Sequence, residues 1–148
     1  MTGGTLGRDD LGFLLAKATQ QWNTLLAEAF AAAGYPEVRP SYGSLLLPLY
    51  EEDGLQLGEL GRRSRLSKQT MTSLARRAER DGLVERRGDP ADARATLVFL
   101  TQRAREFEPV ASAVLRDLDA LVRARLAPEA IATVRESLRA LATLGEDA

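Results

Sequence analysis

The chain has 148 residues, 45% of them hydrophobic, and its charged side chains nearly cancel to a net charge of −1. That length suits one compact domain, or one domain with extra helices for self-association. With no cysteine and no histidine, disulfide frameworks, thiol redox sensing, Ser-His triads and thiolate or imidazole metal sites are excluded, and neither a metal nor a cofactor is expected.

The small total conceals an asymmetry. Residues 55–103 hold eleven Arg/Lys against six Asp/Glu, leaving nine against fifteen elsewhere. A basic block in an acidic frame is the electrostatic footprint of a nucleic-acid contact. No apolar run approaches the roughly 20 residues that span a bilayer, so no membrane partner is expected. Residues 1–10 have no hydrophobic signal core and read as a flexible lead-in to a cytoplasmic protein.

Asp9 or Asp10 suits the N-cap of a first helix in which Leu11, Leu14, Leu15, Ala18, Trp22, Leu25, Leu26, Ala29 and Phe30 recur at three-to-four spacing, ending near Gly34. Residues 35–43 contain two prolines and a glycine and read as a loop. The apolar stretch Leu45 to Tyr50 contains Pro48, whose missing N–H predicts that this second helix starts late or kinks there. Beyond Asp53-Gly54, a two-turn helix over Leu57 to Arg63 turns Leu57 and Leu60 inward. Its Gly58 and Gly61 each cost about 1 kcal/mol against alanine, which signals either close backbone packing or a marginal helix held by its neighbours.

Ser67 is a good N-cap for the next helix, which stops at Gly82. At about 100° per residue, Gln69, Ser73, Arg76 and Arg80 fall on one stripe, and Met71, Leu74, Ala75 and Ala78 on the opposite one. One face packs and the other reads. Strands Val84 to Arg87 and Ala95 to Leu100 follow, joined by Gly88 to Arg94 as a long hairpin loop. Thr101 caps a long helix carrying Phe107, Val110, Val114, Leu115, Leu118, Leu121 and Val122. A last helix starts at Pro128 and is expected to bury Ile131, Val134, Leu138, Leu141 and Leu144.

The predicted fold class is mostly α with a small β-hairpin wing, a winged helix-turn-helix with N- and C-terminal dimerisation helices. Residues 11–34 and 104–148 form the helical dimerisation region and 35–103 the DNA-binding region of a single intertwined domain. The terminal helices carry more apolar positions than a winged domain of about 50 residues can cover, which predicts a homodimer and a palindromic site.

An α-helix fits the major groove, where base edges distinguish all four base-pair orientations. From the exposed stripe, Gln69 can pair bidentately with adenine, Arg76 or Arg80 with guanine, and Thr72 or Ser73 with several edges or a phosphate. Lys68 and Arg77 lie at its margins and suit phosphates, as do Arg62, Arg63 and Arg65 near the turn. The N–H groups beside Ser67 add another phosphate site. Arg94 at the wing tip is assigned to the minor groove. Arg86 and Arg87 alternate faces along their strand, so one of them shares the phosphate surface with Arg94.

The Asp89-Pro90-x-Asp92-x-Arg94 wing signature followed by Leu100-Thr101, with Ser67-Lys-Gln-Thr-Met-Thr72 and Asp81-Gly-Leu-Val-Glu-Arg-Arg87 before it, resembles the MarR family of bacterial transcription regulators over nearly the whole chain. The resemblance implies a homodimer, triangular in outline, whose first, fifth and sixth helices interlock while two winged domains bind a palindromic operator on double-stranded DNA, commonly as a repressor. It also implies a small effector, often phenolic or otherwise aromatic, in a cleft between the dimerisation and DNA-binding parts. Near that junction lie Trp22, Tyr35, Arg39, Tyr42 and Phe107. Arg39 can hold a carboxylate or phenolate while rings stack beside it, the alternative being ordinary core and loop residues. The chain departs from the family pattern at Arg76, where an acidic residue often orients the wing arginine; Asp92 or Asp89 is the available substitute. Ala104 replaces a common glycine, and Pro48 interrupts the second helix.

Two other classes compete. A winged helix that docks proteins would carry neutral or acidic residues at 69, 73, 76 and 80, and an architectural protein would bind phosphates with little regard for sequence. An enzyme is disfavoured: Glu51, Glu52 and Asp53 are adjacent at a helix end, and Asp89 with Asp92 supplies too few oxygens for a calcium loop.

Overall fold

The computed structural model describes residues 7–146. Of the expected lead-in, residues 1–6 lie outside the described residues, and Gly7 to Asp10 form a turn closed by the Asp10 N–H on the Gly7 carbonyl. Helix α1 (Leu11–Ala32) starts where Asp10 accepts the Phe13 N–H at 3.2 Å, an N-cap that satisfies one of the first turn's unpaired donors.

A 3₁₀ turn at Pro40–Tyr42 leads into α2 (Gly43–Glu51). This helix does not start late: Pro48 sits inside it. The proline leaves the Ser44 carbonyl without its helical donor, and the Ser64 hydroxyl, arriving from the next helix, donates to that carbonyl instead.

A two-residue strand, β1 (Leu55–Gln56), precedes α3 (Leu57–Ser64). It is too short to show alternation in sequence, and pairs antiparallel with the second wing strand through Leu55↔Val98 and Gln56↔Leu97. Between α3 and α4 (Lys68–Arg80) the chain turns on Arg65, held at φ 55, with the Leu66 N–H on the Gly61 carbonyl at 2.9 Å. The two glycines of α3 prove different. A Cβ at Gly61 would stand 3.0 Å from the Leu66 carbonyl oxygen, so this tight turn favours glycine; at Gly58 the nearest neighbour is the flexible Arg62 guanidinium at 3.7 Å.

The wing is β2 (Val84–Asp89) and β3 (Asp92–Leu100), completing a three-stranded antiparallel sheet of order β1-β3-β2. The long hairpin loop expected over Gly88 to Arg94 is not found: only Pro90 and Ala91 separate the strands, and the register breaks between Gly88 and Asp89. The Asp89 carboxylate takes the Ala91 N–H at 2.8 Å and Asp92 the Arg94 N–H at 3.0 Å, two Asx turns that tighten the tip. Thr101 then accepts the Ala104 N–H at the start of α5 (Gln102–Arg125) and donates to the Gly82 carbonyl, tying the end of α4 to the helix that follows the wing. Helix α6 (Pro128–Ala142) closes the described chain.

The residues divide into two compact units, one ending at Ala111 and one beginning at Ser112. The core of the first is Tyr42, Leu45, Leu49, Leu60, Met71, Leu83, Val84 and Val98, all essentially inaccessible to solvent. Phe30 of α1 packs edge-on against Phe107 of α5 with centroids 4.8 Å apart, and Tyr35 lies 5.0 Å from the same ring. In the second unit Val114, Leu118 and Ile131 are buried. Contrary to the expectation that the last helix buries them, Val134, Leu138 and Leu144 are 44%, 49% and 78% exposed: helical spacing gathers apolar side chains on one stripe without fixing what covers it.

Candidate nucleic-acid interface

The local sequence of α4 separates its two faces. Met71, Leu74, Ala75 and Ala78 are buried, while Gln69, Ser73, Arg76, Arg77 and Arg80 are exposed. Ser67 starts the helix by accepting the Thr70 N–H at 3.1 Å and donating to the Thr70 hydroxyl at 2.9 Å. The exposed face forms one wall of an open groove of about 970 Å³, lined by Lys68, Gln69, Thr72, Ser73, Arg76, Arg77, Glu79, Arg80 and, from β2, Arg86.

Most residues expected on the reading face therefore meet in one concavity, but their electrostatic situations differ. Lys68, Arg76, Arg77 and Arg80 form no ion pair among the described residues. Thr72 is half-buried and returns its hydroxyl to the Lys68 carbonyl at 2.7 Å, which leaves its oxygen as an acceptor. Four adjacent cations that form no ion pair among the described residues, interleaved with an amide and hydroxyls, make a surface complementary to a polyanion with hydrogen-bonding edges.

The turn and wing residues sit outside that groove, except Arg86. Arg63 reaches Glu59 at 2.9 Å and Glu52 at 3.1 Å, binding α3 to the end of α2, and Arg62 also pairs with Glu59. These two guanidiniums hold the Glu59 carboxyl below its usual range. Arg87 pairs with Glu85 and lies 4.4 Å from the Phe99 ring. Arg94 is exposed near the wing tip, its N–H held by Asp92. Asp89 turns instead to Gln56, whose amide donates at 2.9 Å, and that bond holds the carboxyl low. Neither aspartate forms an ion pair with the Arg94 guanidinium among the described residues.

Sequence reasoning missed Glu79, the one carboxylate lining the groove. It accepts the Arg86 backbone N–H at 3.0 Å and the Arg86 Nε–H at 2.9 Å. The backbone bond first, then the guanidinium, holds its carboxyl below the usual value. The available signal was a lone acid on an otherwise basic helix, separated by a glycine turn from an arginine seven residues later.

The residues proposed around an effector do not share one cavity. Arg39 lines a second open cleft of about 720 Å³ with Gln20, Asn23, Thr24, Ser41, Arg77 and Asp81 among its other walls. Tyr42 and Phe107 are buried in the core, Tyr42 with its hydroxyl on the Asp81 carboxylate. Burial, then that carboxylate, pushes the Tyr42 hydroxyl pKa up. Trp22 lies on α1, 37% exposed, outside this cleft. Helical spacing brings an aromatic to the right element without distinguishing a core ring from a pocket ring.

Comparison with known proteins agrees with this geometry. Residues 38–95, from the loop before α2 to the first part of β3, match the model of the MarR family. The HTH-type transcriptional repressor Rv2887 of Mycobacterium tuberculosis is 33% identical over 138 residues, covering 93% of this chain and 94% of its own. The HTH-type transcriptional regulator TtmR of Methylorubrum extorquens is 43% identical over 61 residues, 41% of this chain and 31% of its own length. The crystal structure of the PcaV transcriptional regulator from Streptomyces coelicolor, in complex with its natural ligand, superposes with a TM-score of 0.80 at 22% identity, covering 96% of this chain and 99% of that one. An exposed cationic helix face, a three-stranded wing and likeness along nearly the full length of a repressor lead to one conclusion: the chain belongs to the MarR family of winged helix-turn-helix transcription regulators and is not an enzyme.

Proposed function

We propose that this regulator represses transcription by binding a palindromic operator as a homodimer and releases it in response to a small molecule. The carrying observation is the groove on α4, where Lys68, Arg76, Arg77 and Arg80 form no ion pairs among the described residues and surround Gln69 and Ser73. In this reading α4 enters the major groove, Gln69 and Arg76 or Arg80 read base edges, Lys68 and Arg77 hold phosphates, and Arg94 reaches the minor groove. The likeness to Rv2887, a repressor, supports the direction of regulation. Action on DNA supports a cytoplasmic location, and no described helix is long and apolar enough to cross a membrane.

Dimerisation is supported by the apolar side chains left in solvent at both ends of the chain: Leu11, Phe13 and Leu14 on α1, and Leu121, Leu126, Val134 and Leu138 on α5, α6 and their junction. A stable monomer at micromolar concentration in light scattering would overturn it. The effector reading is supported by the cleft beside Arg39 and by the ligand complex of PcaV. Arg77 lines both this cleft and the DNA-facing groove. An anionic effector bound by Arg39 would compete with a phosphate for Arg77, so Arg39→Ala should abolish effector-induced release while leaving DNA binding intact.

The test is fluorescence anisotropy against a duplex from directly upstream of the protein's own gene and a shuffled duplex, each across a salt series. Preference for the first by a factor of about 10³ supports a sequence-specific regulator. Equal, steeply salt-dependent binding to both overturns it in favour of an architectural role.

A further inference from the structure

We propose that Glu79 is a positioning residue for DNA recognition: it fixes the wing to the recognition helix through Arg86, and thereby removes Arg86 from the set of phosphate contacts. The inference rests on the DNA-binding reading above.

β2 is an edge strand, since β3 lies between β1 and β2. Arg86 is opposite Val98 in the register, yet its N–H goes to Glu79 Oε2 at 3.0 Å rather than to β3. The other carboxylate oxygen takes the Arg86 Nε–H and Nη2 group, both at 2.9 Å. One carboxylate thus engages both the main chain and the side chain of a wing residue. The side chains are 36% and 30% exposed, so the pair is partly shielded from solvent.

The position of this carboxylate is costly unless it has such a task. Glu79 shares a groove with Lys68, Arg76, Arg77 and Arg80, where a negative charge repels approaching phosphates. With Arg86 it forms a locally neutral pair, and the four remaining cations carry the positive field. The Arg86 Nε–H and Nη2 groups face Glu79, so these two donor groups are directed to a protein partner rather than outward. The wing and α4 must reach neighbouring grooves at one fixed angle, and a link that sets this angle before binding lowers the ordering cost of the complex. Thr101 on the Gly82 carbonyl closes the same corner from the other end of the wing.

Electrostatics alone and positioning predict opposite signs for Glu79→Gln. Loss of a negative charge from a DNA-facing groove should tighten binding to every duplex. If Glu79 positions the wing, the variant binds the upstream duplex about tenfold more weakly, with a smaller loss on the shuffled duplex. Arg86→Ala lowers the same preference while leaving the salt slope on a random-sequence duplex unchanged, and Arg86→Lys, which keeps one charged contact, falls between it and the parent. Tighter binding of Glu79→Gln to both duplexes, or a slope reduced by about one per subunit in Arg86→Ala, overturns the proposal. Amide hydrogen exchange provides a readout without DNA: the Arg86 N–H exchanges faster in Glu79→Gln, and an unchanged rate rejects the link. Parent protein that binds no duplex would instead refute the DNA-binding reading, with the exchange result still deciding the link.

Discussion

The arginines of α4 and those around it have the same chemistry and opposite circumstances. Among the described residues Arg76, Arg77 and Arg80 stand without ion-pair partners on the groove, whereas Arg62, Arg63, Arg86, Arg87, Arg103 and Arg105 each pair with a carboxylate. The paired group builds the frame: Arg103 binds Glu37 at 2.7 Å, donates to the Gly34 carbonyl and lies 3.8 Å from the Tyr35 ring, while Arg105 reaches Asp53. Asp53 also accepts the Leu100 N–H at 2.8 Å, joining the loop before β1 to the end of β3. A cation whose charge is already matched adds little to the field outside the protein. The basic block read from composition therefore overstates the charge left unmatched by carboxylates, and the members without ion pairs identify where that charge is concentrated.

The two faces of α4 offer the strongest test of this division. Met71→Ala removes a fully buried side chain and should destabilise the fold by about 2–5 kcal/mol in denaturant unfolding. Arg76→Ala should leave stability within about 0.5 kcal/mol while costing about 1–3 kcal/mol of binding and relaxing base preference. A stability loss of similar size at both positions would break the comparison.

Ser67→Ala tests the start of the helix. Loss of the cap should cost about 0.5–2 kcal/mol of stability and move DNA affinity by no more than that loss explains. The phosphate assignments are sharpened by salt titration. Lys68→Ala should flatten the dependence of log K on log salt by about one unit per subunit, whereas Arg63→Ala should leave it unchanged because its guanidinium is held by Glu59 and Glu52. A reduced slope in Arg63→Ala would move that residue to the DNA-facing group.

The smallest expected effect concerns pH. The Arg103 guanidinium holds the Glu37 carboxyl below its ordinary value of 4.5. A depressed folded-state pKa contributes stability that is fully present above the unfolded value and is lost as pH falls through the folded one. The stability difference between parent and Glu37→Gln should therefore be constant at neutral pH and narrow below about pH 4.5, as followed by thermal unfolding. A constant difference down to pH 3 would show that the ion pair contributes nothing.

Sequence alone determined what depends on periodicity and local chemistry: Asp9 or Asp10 and Ser67 as caps, the separation of Met71 and Leu74 from Arg76 and Arg80, the order of helices and wing, and the class of partner. Those features follow from helical geometry and from side-chain types at fixed spacing. Tertiary structure decided what depends on distant residues meeting. It recruited Ser64 to the carbonyl freed by Pro48, paired Leu55 and Gln56 with β3, shortened the hairpin, and buried Tyr42 and Phe107 while leaving Arg39 beside a cleft. It also committed Arg63 and Arg86 to carboxylates while Arg76 and Arg80 remained available. Coulomb attraction and hydrogen bonding act over a few ångströms of space, which separation along the chain does not reveal.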